Sequence, residues 1–414
     1  MNKSLKMIAA MAATALLVPL AACGGGADSG KISLSFFSNN SQDKYQKLID
    51  AFEAANTDIK IDFSTTTGSQ NGYQQTLQTR ISGGKLADVF IVPPEALADL
   101  VKGGYAKDLS GEDFMDKIGE SAQASYSVDG KVYAMATSAW TNAFAYNKEL
   151  LAKVGYDTVP STWDEFLTMC KKLKDAGITP YLEPKDGLAD PVEGWIGYDS
   201  AQDGEALDAL IDSGESTFEK TYTKYYEEWN KLFDQDLMSS DVSGLSSDQV
   251  TSEFTAGRLA VMPSGSWNID TYNEAGLDYG FAQIPMLKEG DTPYAPGYAD
   301  PAFGINGKIS GEQLEAAEKF LTFLTSDEGL KLYQEGTGLI PSVEGYDAQV
   351  DEHFQDAYDL YIKTGNVYLN SAHWTKGTTA MRSETFTQLQ QVALGSITPK
   401  QAAQNLDTKF ATLS

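Results

Sequence analysis

Strand-like and helical hydrophobic patterns alternate along the first part of the chain, between residues 31 and 92. Apolar residues recur at every second position in some segments and at every third or fourth position in others, which are the periods of strands and helices. Strands that alternate with helices form a parallel sheet with helices on both faces. This stretch therefore predicts a doubly wound α/β lobe. The strand-like segments are 31–37, 59–63 and 87–92, and the helical segments are 42–56 and 73–81.

A second apolar segment, near residue 260, predicts the end of another sheet. The chain has 414 residues, too many for one small core, so two domains are expected. Residues 259–262 have the pattern of a short buried strand, the turn 263–266 follows, and Trp267 comes directly after it. Ligands of open α/β sheets bind outside the carboxyl ends of strands. Trp267 is therefore expected either to lie flat against a ligand such as a sugar ring or to cap the hydrophobic core.

Residues 1–22 have the pattern of a bacterial lipoprotein signal peptide. A short basic start precedes the apolar run 7–20, and Leu20-Ala21-Ala22-Cys23 resembles a lipobox, which implies that Cys23 is lipidated and becomes the new N-terminus. The apolar run is shorter than the roughly 20 residues of a membrane-spanning helix. Residues 23–30 are then a small-residue linker next to the lipid anchor. The alternative is an ordinary signal peptide with a coincidental cysteine.

The charge of the chain limits its partners. Removal of residues 1–22 takes away Lys3 and Lys6, which leaves 29 basic and 58 acidic residues and a formal charge of −29. This acidity argues against nucleic acid or an anionic membrane surface as a partner and favours a neutral or cationic ligand. Cys170 is the remaining cysteine after Cys23, so no internal disulfide is expected. We expect Cys170 to be a buried apolar residue.

Local patterns predict further elements along the chain. A capping box at Thr162-x-x-Glu165 predicts the start of the helix that carries Cys170. Residues 184–203 have weak periodicity and predict a loop or a short helix, and the aromatic stripe over 222–233 predicts a core helix. Ser310-x-x-Gln313 is expected to cap the helix that follows it.

The order of several motifs is typical of one protein family. The motifs are the lipobox, the doubly wound lobe, Tyr146-Asn147-Lys148-Glu149-Leu150, Thr162-Trp163-Asp164-Glu165-Phe166, Phe254-x-x-Gly257-x-x-Ala260-x-Met262-x-x-Gly265-x-Trp267, Gly304-Ile305, Ser326-Asp327-Glu328-Gly329 and Gly338-Leu339-Ile340-Pro341. In this order and spacing they resemble the extracellular solute-binding proteins of ABC sugar importers (family 1, maltose-binding-protein-like). The resemblance covers nearly all of the chain after the signal peptide.

The resemblance implies an architecture and a function. It implies two doubly wound α/β lobes joined by hinge crossings, as in type II periplasmic binding proteins, with lobe 1 at 31–139 plus 298–341 and lobe 2 at 140–297 plus 342–414. The hinge crossings are expected near 136–146, 294–304 and 340–346. Such a protein is a monomeric, extracytoplasmic receptor, anchored by its lipid to the outer face of the cell membrane. It binds a carbohydrate, most often an oligosaccharide, and delivers it to the permease subunits of an ABC transporter.

The chemistry of a sugar selects the candidate site residues. The C–H faces of a sugar pack on aromatic rings, and its hydroxyl groups need hydrogen-bonding side chains. Trp267 and Trp140 are expected to stack on sugar rings, and Asp300, Glu95, Asn39 and His373 to bind hydroxyl groups. The remaining candidates at loop ends are Asn40, Gln70, Tyr73, Asn142, Trp195, Tyr298 and Trp374.

Other functions remain open at this point. A receptor of the same fold for a cationic solute such as a polyamine is one alternative, and a secreted glycoside hydrolase with two carboxylates among the 58 acidic residues is another. The sequence contains no Gly-x-Ser-x-Gly, Walker-type or His-Glu-x-x-His motif, and His353 and His373 do not suggest a metal site. We therefore expect a binding protein without enzymatic activity, cofactor or metal. A structural or adhesive lipoprotein is a third class, which the predicted sheets with aromatic loop ends disfavour.

Overall fold

The computed structural model of the chain describes residues 30–66 and 70–413. The predicted signal peptide, the lipobox with Cys23 and most of the linker lie outside these residues. Within the described part of the chain, no helix is both long and apolar enough to cross a membrane.

Short strands and longer helices alternate along the chain. The strands are β1 (Ile32–Ser38), β2 (Ile59–Thr65), β3 (Val89–Val92), β4 (Ser127–Val128), β5 (Lys131–Val132), β6 (Met135–Ala136), β7 (Trp140–Thr141), β8 (Ala143–Asn147), β9 (Thr179–Tyr181), β10 (Leu259–Ser264), β11 (Tyr279–Ala282), β12 (Ala295–Tyr298), β13 (Ala302–Ile305) and β14 (Val367–Tyr368).

The helices pack around these strands. They are α1 (Gln42–Ala55), α2 (Gln70–Ser82), α3 (Leu97–Lys102), α4 (Glu120–Ser125), α5 (Lys148–Ala152), α6 (Trp163–Asp175), α7 (Asp190–Asp203), α8 (Leu207–Ser213), α9 (Phe218–Asp234), α10 (Ser247–Thr255), α11 (Ile269–Glu274), α12 (Glu312–Leu324), α13 (Asp327–Thr337), α14 (Gln355–Ala357), α15 (Thr378–Ala393) and α16 (Pro399–Phe410). Shorter 3-10 turns lie at Pro94–Ala96, Asp113–Lys117, Ser240–Ser243, Ser266–Asn268 and Asn370–His373, and a π turn lies at Tyr358–Ile362.

Two larger sheets organise the two lobes. The first has the strand order β2-β1-β3-β13-β6, with β1 parallel to β2 and β3, and the second has the order β11-β8-β10-β9. The strand and helix order predicted for residues 31–92 is confirmed. In the first sheet, β13 returns antiparallel to β3, so that a late segment of the chain completes the N-terminal lobe.

The hydrophobic core divides into two clusters, one around each sheet. The ring of Phe36 contacts those of Phe303 and Phe320 in the first cluster, and the rings of Phe144, Phe166 and Tyr181 contact one another in the second. The predicted fold class, two α/β lobes, is confirmed. The lobe boundaries that we assign, 31–139 plus 298–341 and 140–297 plus 342–414, remain a prediction.

A third, three-stranded sheet lies where the chain passes between the clusters. Its order is β14-β12-β7, with Gly297 opposite Thr141 and Pro296 opposite Tyr368. A Cβ atom on Gly297 would lie 2.5 Å from the carbonyl oxygen of Trp140 and 2.8 Å from Val367 Cγ1, so only glycine fits there. Two of the three expected crossings between the lobes, at β7 and β12, are therefore hydrogen-bonded to each other.

The predicted start of the helix that carries Cys170 is confirmed, with Thr162 as its N-cap, but the capping box does not form, and the predicted cap at Ser310 is wrong. The Thr162 hydroxyl donates to the Glu165 carboxylate instead of accepting from a backbone N–H, and α6 forms because its apolar face, with Cys170, is buried. Before α12 the N-cap is Gly311 rather than Ser310. The Gln313 amide donates to the Ser33 carbonyl and to Asp88, which ties α12 to the first sheet.

The segment 184–203 is more regular than the sequence indicates. Its last 14 residues form the helix α7, whose buried residues include Val192, Trp195 and Ile196. The helix is covered by neighbours on several sides, and such a helix lacks the one-sided apolar stripe that periodicity detects. The predicted core helix over 222–233 is confirmed as part of α9, with Tyr222, Tyr226 and Trp229 buried.

Candidate functional site

Trp267 stands at the end of strand β10, in the second lobe. The 3-10 turn Ser266–Asn268 carries it, and its side chain is 52% exposed, an exposure that Leu394 also has. A Cβ atom on Gly265 would lie 2.1 Å from Cζ3 of Trp267, so glycine allows the indole ring to fold back over the turn. The ring of Trp140 lies edge-on to it, with 6.4 Å between the ring centroids. The two indole rings therefore lie next to each other and form one rim of a cavity.

This rim borders a cavity of about 350 Å³ in the second lobe. Its volume lies in the range of small-molecule sites. Aromatic rings and hydrogen-bonding groups share its wall, which is the combination that a sugar requires. The lining residues include Trp140, Asn142, Asp190, Glu193, Tyr222, Tyr226, Trp267, Asn370, Trp374, Arg382 and Phe386.

Two buried polar atoms in this wall have no hydrogen-bond partner within the described residues. They are Oδ2 of Asp190 and the hydroxyl oxygen of Tyr226. The other carboxylate oxygen of Asp190 accepts a hydrogen bond from the side-chain amide of Asn142. A buried polar group without a partner costs about 1–3 kcal/mol. A ligand that brings hydroxyl groups into the cavity can satisfy both atoms.

A buried carboxylate behind the cavity fixes part of its wall. Asp208, in α8, accepts hydrogen bonds from the Tyr222 hydroxyl at 2.7 Å, the Trp374 indole N–H at 2.9 Å and the Tyr368 hydroxyl at 2.8 Å. Asp208 is fully buried. Because Tyr222 and Trp374 line the cavity, Asp208 sets the orientation of two wall residues from behind.

Burial shifts the titration of the acidic groups around the cavity. It raises the pKa of Glu193 to about 8, with the Arg382 guanidinium opposing the shift and Asp208 adding to it. It raises the pKa of Asp190 well above its usual range, and Glu183 adds to this shift. It also raises the pKa of Glu183 to about 7 and that of Asp208 to about 6, against the hydrogen bonds that each accepts.

These shifts predict that the ligand-free protein is less stable at pH 8 than at pH 6. A carboxyl group whose pKa is higher in the folded than in the unfolded state stabilises the fold below the unfolded value and loses that contribution as the pH rises through the folded value. For Glu183 alone, with a pKa raised from 4.5 to about 7, the loss between pH 6 and pH 8 is about 1 kcal/mol. Glu193 and Asp190 act in the same direction. Melting temperatures at constant ionic strength test this.

Other groups do not reverse the expected trend. Burial lowers the pKa of His373 to about 4, and this opposing effect is confined to pH values below about 6.5. Partly exposed carboxylates with cationic partners have lowered pKa values, such as Asp108 beside Lys131 at about 2. These carboxylates lose their contribution to the free energy of unfolding only as the pH falls below about 4. A melting temperature that rises from pH 6 to pH 8 contradicts the prediction.

The structure brings several predicted residues together. Trp267, Trp140, Asn142 and Trp374 line the cavity described above. Trp374 also forms a wall of a neighbouring crevice of about 600 Å³ between the two lobes, which is lined by further predicted residues. These residues are Glu95, Tyr298 and His373.

The remaining first-lobe candidates lie near the carboxyl end of β1. Asn39 Oδ1 is buried without a partner in the described chain, and the Asn40 backbone N–H donates to the Ser38 hydroxyl. Burial raises the pKa of Asp300 to about 7, and Glu95 adds to the shift. These residues do not line the cavity beside Trp267. We retain them as candidates on the opposing lobe.

Two predicted site residues are structural instead. Trp195 is 1% exposed, and its indole N–H donates to the Pro285 carbonyl at 2.8 Å. Tyr73 is equally buried and donates to the Ile91 carbonyl at 2.8 Å while its ring stacks on Phe37. Neither ring can reach a ligand, so we remove both from the proposed site. The side chain of Gln70 lies outside the described part of the chain.

The sequence interpretation missed Asp190, Glu193, Tyr226 and Arg382. Asp190-Pro191 does carry a signal, because proline favours the first turn of a helix and Asp190 begins α7. Nothing in the sequence distinguishes Glu193 or Arg382 from other charged residues. The sequence predicts a core helix at Tyr226, which the structure confirms, but only the structure shows that its hydroxyl group has no partner within the described residues.

The chain matches the model of one protein family and resembles a solved structure along nearly its whole length. Residues 38–331 match the model of a family described as bacterial extracellular solute-binding protein. The structure of a family 1 extracellular solute-binding protein from Bifidobacterium longum subsp. infantis is 36% identical, with a TM-score of 0.85, and the match covers 93% of this chain and 100% of that one.

Two curated relatives have names that specify sugars. The multiple sugar-binding protein of Streptococcus mutans is 24% identical over 379 residues, which cover 86% of this chain and 87% of that protein. The maltodextrin-binding protein MdxE of Bacillus subtilis is 26% identical over 378 residues, which cover 86% and 85%. The first name refers to several sugars, and the second specifies maltodextrin.

Proposed function

Because this chain belongs to the bacterial extracellular solute-binding protein family, we propose that it is an extracytoplasmic receptor that binds a carbohydrate beside Trp267. We further propose that the ligand is an oligosaccharide and that the receptor, anchored through a lipid on Cys23, delivers it to an ABC permease. The names of the curated relatives support a sugar ligand. The lipobox pattern supports the anchor.

One observation carries the proposed ligand class: the cavity combines the exposed indole ring of Trp267 with buried polar atoms that have no partner among the described residues. The C–H face of a sugar packs on Trp267, and its hydroxyl groups reach Asp190 Oδ2 and the Tyr226 hydroxyl. An apolar ligand would leave both polar atoms without a partner. A sugar satisfies the apolar and the polar parts of the wall together.

The charges around the cavity favour a neutral sugar over a polyamine. Burial raises the pKa values of Asp190 and Glu193, which disfavours two negative charges in the wall at neutral pH. Arg382 adds a positive charge to the same wall. A polyamine is best bound by ionised carboxylates, and this cavity opposes that state.

The second part of the proposal is closure of the lobes over the ligand. Asp300, Glu95 and Asn39 on the first lobe take hydroxyl groups of the sugar when the lobes approach each other. The three-stranded sheet of β7, β12 and β14 is the proposed hinge. Contacts from both lobes make the ligand bind the closed state more tightly, which shifts the population toward it.

The test is a thermal-shift and calorimetric screen of the soluble chain that begins after Gly26. Monosaccharides, disaccharides, oligosaccharides, polyamines and metal ions are each added to the protein. A ligand present at 100 times its dissociation constant stabilises the folded state by about 2.7 kcal/mol, so the melting temperature rises by several degrees. We expect a series of oligosaccharides to give this shift.

Each other outcome of the screen has a defined meaning. If polyamines alone shift the melting temperature, the sugar assignment is wrong, although the receptor fold remains. If a bound oligosaccharide is cleaved during incubation, the protein is a glycoside hydrolase. If no solute in the screen shifts the melting temperature, the proposed carbohydrate site is overturned.

A further inference from the structure

A buried carboxylate holds the loop that presents Asp190 to the cavity. We propose that Glu183 is a positioning residue for ligand binding, which fixes the backbone of Ala189 and Asp190 so that the Asp190 side chain faces the ligand. The inference rests on the proposed function, since it assigns Asp190 to the ligand site. Glu183 itself does not line the cavity.

Both carboxylate oxygens of Glu183 are occupied by hydrogen bonds from the protein. Oε1 accepts from the Tyr181 hydroxyl at 2.7 Å and from the Asp190 backbone N–H at 3.2 Å. Oε2 accepts from the Ala189 backbone N–H at 2.8 Å and from the Trp229 indole N–H at 2.9 Å. Glu183 is fully buried and lies two residues after the end of β9. It has neither the exposure nor the free acceptors to bind a ligand.

The backbone that Glu183 holds is in an unfavourable conformation. Ala189 has φ +62° and ψ +36°, the left-handed region, which costs a residue with a Cβ atom about 1–2 kcal/mol. This turn immediately precedes α7 and sets the direction in which the Asp190 side chain leaves the chain. The two hydrogen bonds from the backbone N–H groups to Glu183 stabilise the turn. Without them, the chain can relax and withdraw the Asp190 carboxyl group from the cavity.

Glutamine cannot replace this carboxylate. Its side-chain amide nitrogen must take the place of one of the two oxygens. In the Oε2 position the nitrogen faces the N–H groups of Ala189 and Trp229, and in the Oε1 position it faces the N–H of Asp190. None of these groups can accept a hydrogen bond. Glu183→Gln therefore keeps the size of the side chain but deprives at least one of the two backbone N–H groups of its acceptor.

The experiment compares Glu183→Gln with Trp229→Phe. The control removes one donor to the same carboxylate and leaves both backbone hydrogen bonds in place. Amide hydrogen exchange of the ligand-free proteins is followed over residues 184–191, and the affinity for the oligosaccharide found in the screen is measured by calorimetry. We expect exchange at Ala189 and Asp190 to be at least about tenfold faster in Glu183→Gln and the affinity about tenfold lower. In Trp229→Phe both should stay within about twofold of the wild type.

A second substitution distinguishes positioning from a general loss of structure. Ala189→Gly removes the cost of the left-handed conformation, so adding it to Glu183→Gln should restore at least half of the lost affinity on a logarithmic scale. A purely structural role for Glu183 gives no such recovery. If Glu183→Gln does not fold, Glu183→Asp takes its place, because its shorter side chain withdraws the carboxylate from the two N–H groups.

The exchange data separate the two proposals. If the wild type binds no sugar, the proposed function falls, while the exchange rates at Ala189 and Asp190 still decide whether Glu183 holds this turn. Wild-type exchange in a folded Glu183→Gln overturns the inference. Equal loss of affinity in Glu183→Gln and Trp229→Phe also overturns it.

Discussion

Replacing Trp267 with alanine is expected to weaken oligosaccharide binding by about 30-fold. The side chain is 52% exposed at the rim of the cavity, so its ring is available to a ligand. A sugar that covers one face of the indole removes roughly 80 Å² of apolar surface from water, which is worth about 2 kcal/mol. That free energy corresponds to the expected change in the dissociation constant. Isothermal titration calorimetry with the oligosaccharide found in the screen measures it.

Leu394→Ala is the matched control for this variant. Leu394 is exposed to the same extent as Trp267 but does not line the cavity, so its removal should leave the affinity within about twofold of the wild type. Trp267→Phe keeps an aromatic face and should give an intermediate affinity. An unchanged dissociation constant in a folded Trp267→Ala variant removes Trp267 from the site.

Asp208→Ala is expected to lower the free energy of unfolding by about 3–5 kcal/mol. The substitution leaves the hydroxyl groups of Tyr222 and Tyr368 and the indole N–H of Trp374 without their buried acceptor. Each buried donor without a partner costs about 1–3 kcal/mol, and partial rearrangement offsets part of the sum. Burial disfavours the charge of Asp208 and raises its pKa, so removal of that charge keeps the expected loss below the full sum. Chemical denaturation and calorimetric melting measure the loss.

The same helix provides the control for this prediction. Asp212, also in α8, accepts hydrogen bonds from the backbone N–H and the hydroxyl group of Thr375, but it is partly exposed to solvent. Water can replace its hydrogen bonds, so Asp212→Ala should cost less than about 1 kcal/mol. Equal stability losses for the two variants contradict the role that we assign to Asp208.

Much of the fold can be predicted from the sequence because many of its helices and strands bury only one face. In α1, Tyr45, Leu48 and Phe52 face the first sheet, and their helical spacing is visible in the sequence. Helix α7 gives no such signal, because neighbouring elements cover it on several sides. Its start at Asp190-Pro191 and its end at Gly204 carry capping signals, and these would have located the helix without any periodicity.

The candidate site is only partly predictable for a different reason. Trp267 follows a strand and a turn, so its place at the end of a sheet can be deduced from its neighbours in the sequence. The positions of Asp190, Glu193 and Arg382 in one wall result from the packing of α7 and α15 against the same helix, α9, which no local pattern encodes. Trp195 is the opposite case, a predicted site residue that is structural. It lies in a segment of weak periodicity that predicts a loop or a short helix, but its side chain points into the core.

The buried cysteine of α6 has a practical use that is independent of the ligand. Cys170 is the cysteine of the described chain, and it lies in the core cluster of the second lobe, where burial raises the pKa of its thiol. A thiol-reactive dye reaches it only when that core opens, because the thiolate is the reactive form. The rate of labelling therefore measures the opening of the second lobe's core, because the described part of the first lobe contains no cysteine.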